Sequence, residues 1–302
     1  MHFAKRIFLF LAINFLVVIA ISAILSIFNI RPYLTQVGLD YQSLMIFCLI
    51  WGMGGALISL SLSRVMAKMI MGVKLIDPDT KNQAERYLLN TVYALSRKAH
   101  LPEMPQVGIY ESPEVNAFAT GPTQRRSLVA VSRGLLNKMN QGEIEGILGH
   151  EITHITNGDM VTMTLVQGVV NAFVMFLARV LAYIVSGLGK DRRSGGGSYA
   201  TYMIMVFIFE IAFMLLGAIV IAFYSRFREF RADRGGAELA GKEKMISALK
   251  SLQHTMNQRD QRAEQPAFQA FKISTPKKQG LLFLFASHPP LEERIKRLEE
   301  NI

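Results

Sequence analysis

Apolar residues along this chain gather into four long blocks instead of alternating with polar ones. Ile7–Phe28 carries no charge and follows Lys5-Arg6. Leu39–Leu62 is interrupted only by Asp40 and by the Gly-rich Trp51-Gly52-Met53-Gly54-Gly55. Val161–Leu188 holds Gln167, Asn171 and Arg179, and Tyr199–Tyr224 holds Glu210. Crossing the hydrocarbon core of a bilayer takes roughly 20 helical residues, so each block is long enough to span it. The first block also has the small residues of a signal-peptide cleavage site at Ala20-Ile21-Ser22. Its apolar run continues to Phe28, which favours an uncleaved anchor.

The basic residues next to the blocks set the expected orientation. With the N-terminus in the cytoplasm, Lys5, Arg6, Arg64, Lys68, Lys74, Arg226, Arg228, Arg231 and Arg234 face the cytoplasm, as the positive-inside rule demands. Lys190, Arg192 and Arg193 dissent, so the third and fourth blocks are read as either a crossing hairpin or a re-entrant one. Arg179 and Glu210 are costly in lipid and are expected to pair with each other across that hairpin.

Outside the blocks the pattern shortens. Asn82–His100 reads as a helix stopped by the prolines of Leu101–Pro105. Gln106–Glu111, Val115–Thr120 and Ser127–Ser132 read as short strands separated by Pro/Gly turns. Asn140 with Glu143 makes a capping box opening a helix that passes through Gly149 into His150 and is expected to run straight into the third apolar block. Beyond Ser225 the chain starts helically, becomes Gln-rich over Gln253–Gln269 as a surface segment, and ends in an amphipathic helix over Leu291–Asn301.

Composition supports the membrane reading. Of 302 residues, 51% are hydrophobic and 19% charged, against about a quarter charged in soluble proteins. The net charge of +10 sits largely beside the apolar blocks, which argues for a lipid bilayer as partner and against nucleic acid. Cys48 is alone and lies inside a block, so any metal here must use histidine and carboxylate.

The chemistry gathers at His150-Glu151-Ile152-Thr153-His154. Residues at i and i+4 share one helix face, so both imidazoles reach one ion, and Glu151 beside them can hold the metal's water. A catalytic zinc site takes three protein ligands and keeps one position open. The membrane hairpin returns the chain to the same side at Ser225, which makes Glu229 the candidate third ligand. Asp233, one turn further along, suits a carboxylate orienting a metal-bound imidazole. The competing reading of Glu229 and Asp233 is a salt-bridged juxtamembrane helix.

His150–His154, Ser225–Asp233, Asn116–Gly121 and Ser287-His288-Pro289-Pro290 together resemble the HtpX-type heat-shock membrane proteases, relatives of the CAAX prenyl proteases, over nearly the whole chain. The resemblance implies one Zn2+ per chain on His150, His154 and Glu229, with Glu151 as general base. It also implies quality control in the bacterial cytoplasmic (inner) membrane by a multi-pass enzyme with its active site on the cytoplasmic side. Polypeptides, membrane proteins among them, are then the substrates; the sequence does not give the oligomeric state. His288 is a candidate catalytic donor to the oxyanion, or a structural histidine. Asn116, Ala117 and Phe118 are candidates for substrate binding by an edge strand, or part of an ordinary hairpin.

The expected fold is α+β: a four-helix membrane part with a mixed, mainly helical, gluzincin-like cytoplasmic metalloprotease domain. Residues 1–63 form an N-terminal transmembrane hairpin and 64–160 the first part of the catalytic domain. Residues 161–224 form the second transmembrane or re-entrant hairpin, and 225–302 the second catalytic part. A narrow-specificity CAAX-type processing protease and a non-enzymatic membrane scaffold or chaperone are the alternatives.

Overall fold

The computed structural model describes residues 34–35, 38–187, 199–263 and 284–300. The first apolar block and the dissenting cluster from Lys190 to Arg193 lie outside these residues. The chain divides into two compact units: one holds the residues up to Leu60 and Thr162–Ile221, the other Ser61–Val161 and Ala222–Ile302.

Three of the apolar blocks appear as long helices: α1 (Tyr41–Ile70), α5 (Asp159–Ser186) and α6 (Tyr199–Ala240), all long and apolar enough to cross a membrane. In the first unit, Leu44 and Cys48 of α1 bury against Ala172 of α5. The expected intramembrane pair is present, with Arg179 Nη1 2.6 Å from Glu210 Oε1. The Arg179 guanidinium also lies 5.5 Å from the centre of the Phe47 ring. An ion in hydrocarbon is tolerated only with a partner, and each of these charges has one.

The second unit is a helical body with one small mixed sheet. Its strands are β3 (Lys74–Leu75), β4 (Gln106–Tyr110), β5 (Ala117–Thr123) and β6 (Arg126–Ser132), in the order β3-β4-β6-β5. β4 and β6 are parallel and the other pairs antiparallel. A separate two-residue ladder pairs β1 (Leu34–Thr35) with β2 (Gly38–Leu39). β6 is buried along nearly its whole length, as expected of an interior strand. β5 is an edge strand, and Pro122 sits where a missing N–H is tolerated.

Helix α2 (Gln83–Lys98) starts at Asn82, whose side chain accepts from Ala84 and Glu85 N–H. The short α3 (Arg133–Lys138), which the sequence pattern did not announce, is capped by Ser132. Helix α4 (Gln141–Thr156) opens with the expected Asn140/Glu143 capping box. Leu88, Val92, Val129, Val131, Leu148, Ile152 and Ile155 bury together, clamping α2 and α4 to one face of the sheet.

One sequence expectation needs correction. α4 does not run straight into the third apolar block: it stops at Thr156, and Gly158 adopts φ +66° before α5 begins. That left-handed conformation carries almost no penalty in glycine and ends the helix. Helix α7 (Lys242–Ala263) carries helical structure well into the Gln-rich stretch. As expected, the chain is helical beyond the fourth block: α6 continues without a break to Ala240, so Glu229 and Asp233 lie on the extension of an apolar helix. The last helix, α8 (Leu291–Glu300), follows Pro289-Pro290 as expected.

Candidate metal centre

Helix α4 presents His150 and His154 on one face, both buried, with ring centres 4.6 Å apart. Their Nε2 atoms lie 3.1 Å from each other. Glu229 of α6, 1% exposed, brings its carboxylate to 3.5 Å from His150 Nε2 and 3.4 Å from His154 Nε2. One ligand atom from each of the three residues falls within 4.8 Å of the other two. Two imidazole nitrogens and a carboxylate oxygen, closed on three sides, match the donor set of a catalytic zinc site with one position left open. The cluster is thus built to hold a single Zn2+.

The approach of α6 to α4 depends on small side chains. A Cβ built on Gly235 lands 2.3 Å from Thr153 Cγ2 and 2.7 Å from its Oγ1. Thr153 is the residue just before His154, so the two helices touch beside the metal ligands.

Both imidazoles are fixed from behind. His150 Nδ1 lies 2.9 Å from Asp233 Oδ1, and His154 Nδ1 lies 2.7 Å from Asp159 Oδ2. A carboxylate on Nδ1–H sets the tautomer that turns the Nε2 lone pair toward a metal. Asp233 was anticipated from its spacing; Asp159 was not. Arg294 of α8 was also missed. It is buried and grips Asp233 through two nitrogens, at 2.7 Å and 2.5 Å, with Nη1 3.6 Å from Glu229 Oε2. The only advance signal was a basic residue on the buried face of an amphipathic helix close behind His288.

These contacts shape the charges of the ion-free cluster. Burial alone would lower His150, but its bonds to Asp233 and Glu229 outweigh burial and push it up to about 9. His154 is raised in the same way, through Asp159 and Glu229. Burial opposes ionisation of Glu229, yet His150, His154 and His288 hold it far below the usual carboxylate range. Asp233 is likewise depressed against burial, by Arg294 and His150.

A cleft of about 470 Å³ opens onto the cluster and is lined by Asn116, Ala117, Glu151, Glu229, His288 and Arg294 among others. Glu151 Oε2 accepts the Ala119 N–H of β5 at 2.8 Å. That N–H therefore points off the outer edge of the sheet, and by strand alternation Ala117 presents its backbone to the same edge. Phe118, the third residue of the stretch expected to bind substrate, turns its side chain away from this cleft. It packs on Tyr110, ring centres 5.7 Å apart, with Leu128 and Ala130. A period of two puts 117 and 118 on opposite faces.

His288 lies at the cleft with its ring 65% exposed and Nδ1 2.8 Å from Glu229 Oε2. With Nδ1–H given to that carboxylate, a neutral ring leaves Nε2 as an acceptor; both nitrogens donate only in the imidazolium. Arg226 holds the segment leading to His288 by donating to the carbonyls of Leu284 and Ala286.

Comparison with known proteins points the same way. The model of peptidase family M48 matches residues 82–302. "Protease HtpX homolog" of Methylacidiphilum infernorum is 50% identical over 302 residues, covering 98% of both chains. The protein of the same name from Bacillus subtilis is 49% identical, covering 98% of this chain and 99% of its own. The crystal structure of S. mikatae Ste24p superposes with a TM-score of 0.64 at 18% identity. That match covers 98% of this chain and 64% of the other, and speaks for the fold alone. A zinc-type cluster on an HExxH helix, inside the 82–302 stretch that the family's model matches, leaves one assignment: the chain belongs to peptidase family M48.

Proposed function

We propose that this chain is a membrane-embedded zinc metalloendopeptidase of the HtpX type that cleaves misfolded or damaged membrane proteins in quality control. The observation that carries the reading is the convergence of His150, His154 and Glu229 within 4.8 Å, with Glu151 lining the same cleft.

A zinc ion held there would polarise the scissile carbonyl and lower the pKa of its water toward about 7. His150, His154 and Glu229 would hold it. Glu151 is the general base: with Oε2 bonded to Ala119 N–H, its other oxygen takes the proton of the attacking water and passes it to the leaving amine. An extended substrate pairs its backbone with the outer edge of β5 at Ala117, and Asn116 adds a polar contact from the cleft wall. The developing oxyanion is met by His288, with the Arg294 guanidinium nearby in the same cleft.

The assembly is a multi-pass protein of the bacterial inner membrane whose gluzincin-like catalytic domain faces the cytoplasm. Four membrane helices, residues 1–63 and 161–224, alternate with catalytic parts 64–160 and 225–302. The three long apolar helices support this arrangement, as do compact units that divide within three residues of those boundaries.

The test uses detergent-purified wild type and Glu151→Gln, with zinc content and cleavage of an unfolded protein as readouts. Zinc in both and proteolysis only in the wild type is the expected result. Equal cleavage by the variant would remove Glu151 from its role.

A further inference from the structure

His154 is steadied by a carboxylate that does not belong to its own helix. Asp159 opens α5, is 1% exposed, and stands 2.7 Å from His154 Nδ1. On an unbroken helix a residue five positions on would point roughly 140° away around the axis, out of reach of that ring. The chain escapes this by stopping. Asn157 N–H closes on Thr153 C=O, Gly158 N–H on Ile155 C=O, and Gly158 turns left-handed at φ +66°. α5 then begins on Asp159 itself.

A buried carboxylate is costly unless paired. Asp159 gives Oδ2 to His154 and Oδ1 to Arg231, 3.4 Å away, whose half-exposed guanidinium also lies over the Phe227 ring at 5.7 Å. The arrangement repeats, on the second histidine, what Asp233 and Arg294 do for His150. Each histidine thus has an Asp–Arg pair behind it and its Nε2 turned to the centre.

We infer that Asp159 is a positioning residue for the metal ligand His154, and that the Asn157-Gly158 helix break serves to deliver it. The inference rests on the zinc-peptidase reading above. The competing explanation is that Asp159 only favours the N-terminus of α5 through its charge. A helix-terminal role leaves the metal's electronic environment untouched; a positioning role does not.

The experiment measures zinc affinity by chelator competition and the visible spectrum of the cobalt-substituted protein, for wild type, Asp159→Asn, Asp159→Ala and Arg231→Gln in detergent. Loss of a carboxylate behind a metal-bound histidine weakens metal binding by about 10- to 100-fold. Asp159→Ala is expected in that range with a shifted cobalt spectrum. Asp159→Asn, which still accepts from Nδ1–H, should fall between it and wild type, and Arg231→Gln should change least. Melting in excess chelator reports the metal-free fold, and the near-isosteric Asp159→Asn keeps the test open if the alanine variant does not fold. Affinities within twofold of wild type and superimposable spectra overturn the role of Asp159. Failure of the wild type to take up either metal overturns the zinc reading beneath it.

Discussion

Replacing Gly235 by alanine separates helix propensity from helix approach. In an exposed helix the change gains about 0.8–1.0 kcal/mol. Here the new methyl meets Thr153 Cγ2 at 2.3 Å, whereas carbon atoms rest about 3.5–4.0 Å apart. Thr153 cannot swing aside, because it is buried and its hydroxyl donates to Gly149 C=O at 2.8 Å. Relief requires α6 and α4 to part locally by about 1 Å, and overpacking of this kind costs about 1–3 kcal/mol. The net change in stability is therefore a loss of about 0–2 kcal/mol. The metal site is the more sensitive reporter. Glu229 rides on the same helix, and a misplacement of about 1 Å in a preorganised site costs about 100-fold. Zinc affinity of the detergent-purified variant should fall by that order. Adding Thr153→Ala deletes the two offending atoms and leaves Cβ at 3.1 Å, so the double variant should recover to within a few-fold of wild type. A single Gly235→Ala variant that melts higher and binds zinc normally would refute the argument.

Three further outcomes follow from the same geometry. Zinc must displace the proton that a pKa of about 9 keeps on His150 in the ion-free site, so apparent affinity should rise with pH up to that value, by about tenfold per unit for each proton released; chelator competition at several pH values reads the slope, and a flat profile contradicts it. Arg294→Met strands Asp233 without its buried counter-charge, a loss of about 3–5 kcal/mol that thermal melting should show as a clear drop. Arg179→Glu and Glu210→Arg should each destabilise the detergent-solubilised protein, by about 2.5–3.5 kcal/mol for a stranded charge, and the exchange of both should restore it.

Local signals carried most of the fold. The helix after Asn82, the Asn140 cap, the three strands and the HExxH spacing are short-range patterns, and each is present, with the second strand shifted along the chain to Ala117–Thr123. Glu229 and Asp233 were legible because a returning apolar helix leaves few places for the chain to go. Arg179 and Glu210 were legible because an unpaired charge in lipid has no stable alternative. The direction of the Phe118 side chain was not legible, because a motif names a stretch of chain while a strand turns alternate side chains to opposite faces. Asp159 escaped because a face argument assumes a continuous helix; the dipeptide Asn157-Gly158 was the available hint that the helix ends. Arg294 escaped for a different reason. Its partner Asp233 is 61 positions earlier, and no periodicity links residues so far apart.

That distance has a consequence in time. The chain is made from its N-terminus, and α8 is the last described helix to emerge, after all three apolar ones. Until α8 and the segment just before it dock, Asp233 lacks Arg294 and Glu229 lacks His288. A protease that acts on incompletely folded polypeptides runs the risk of meeting its own nascent chain as a substrate. Because two supports of the centre come from the stretch after the last apolar helix, the finished site cannot assemble until all three of these helices have been synthesised.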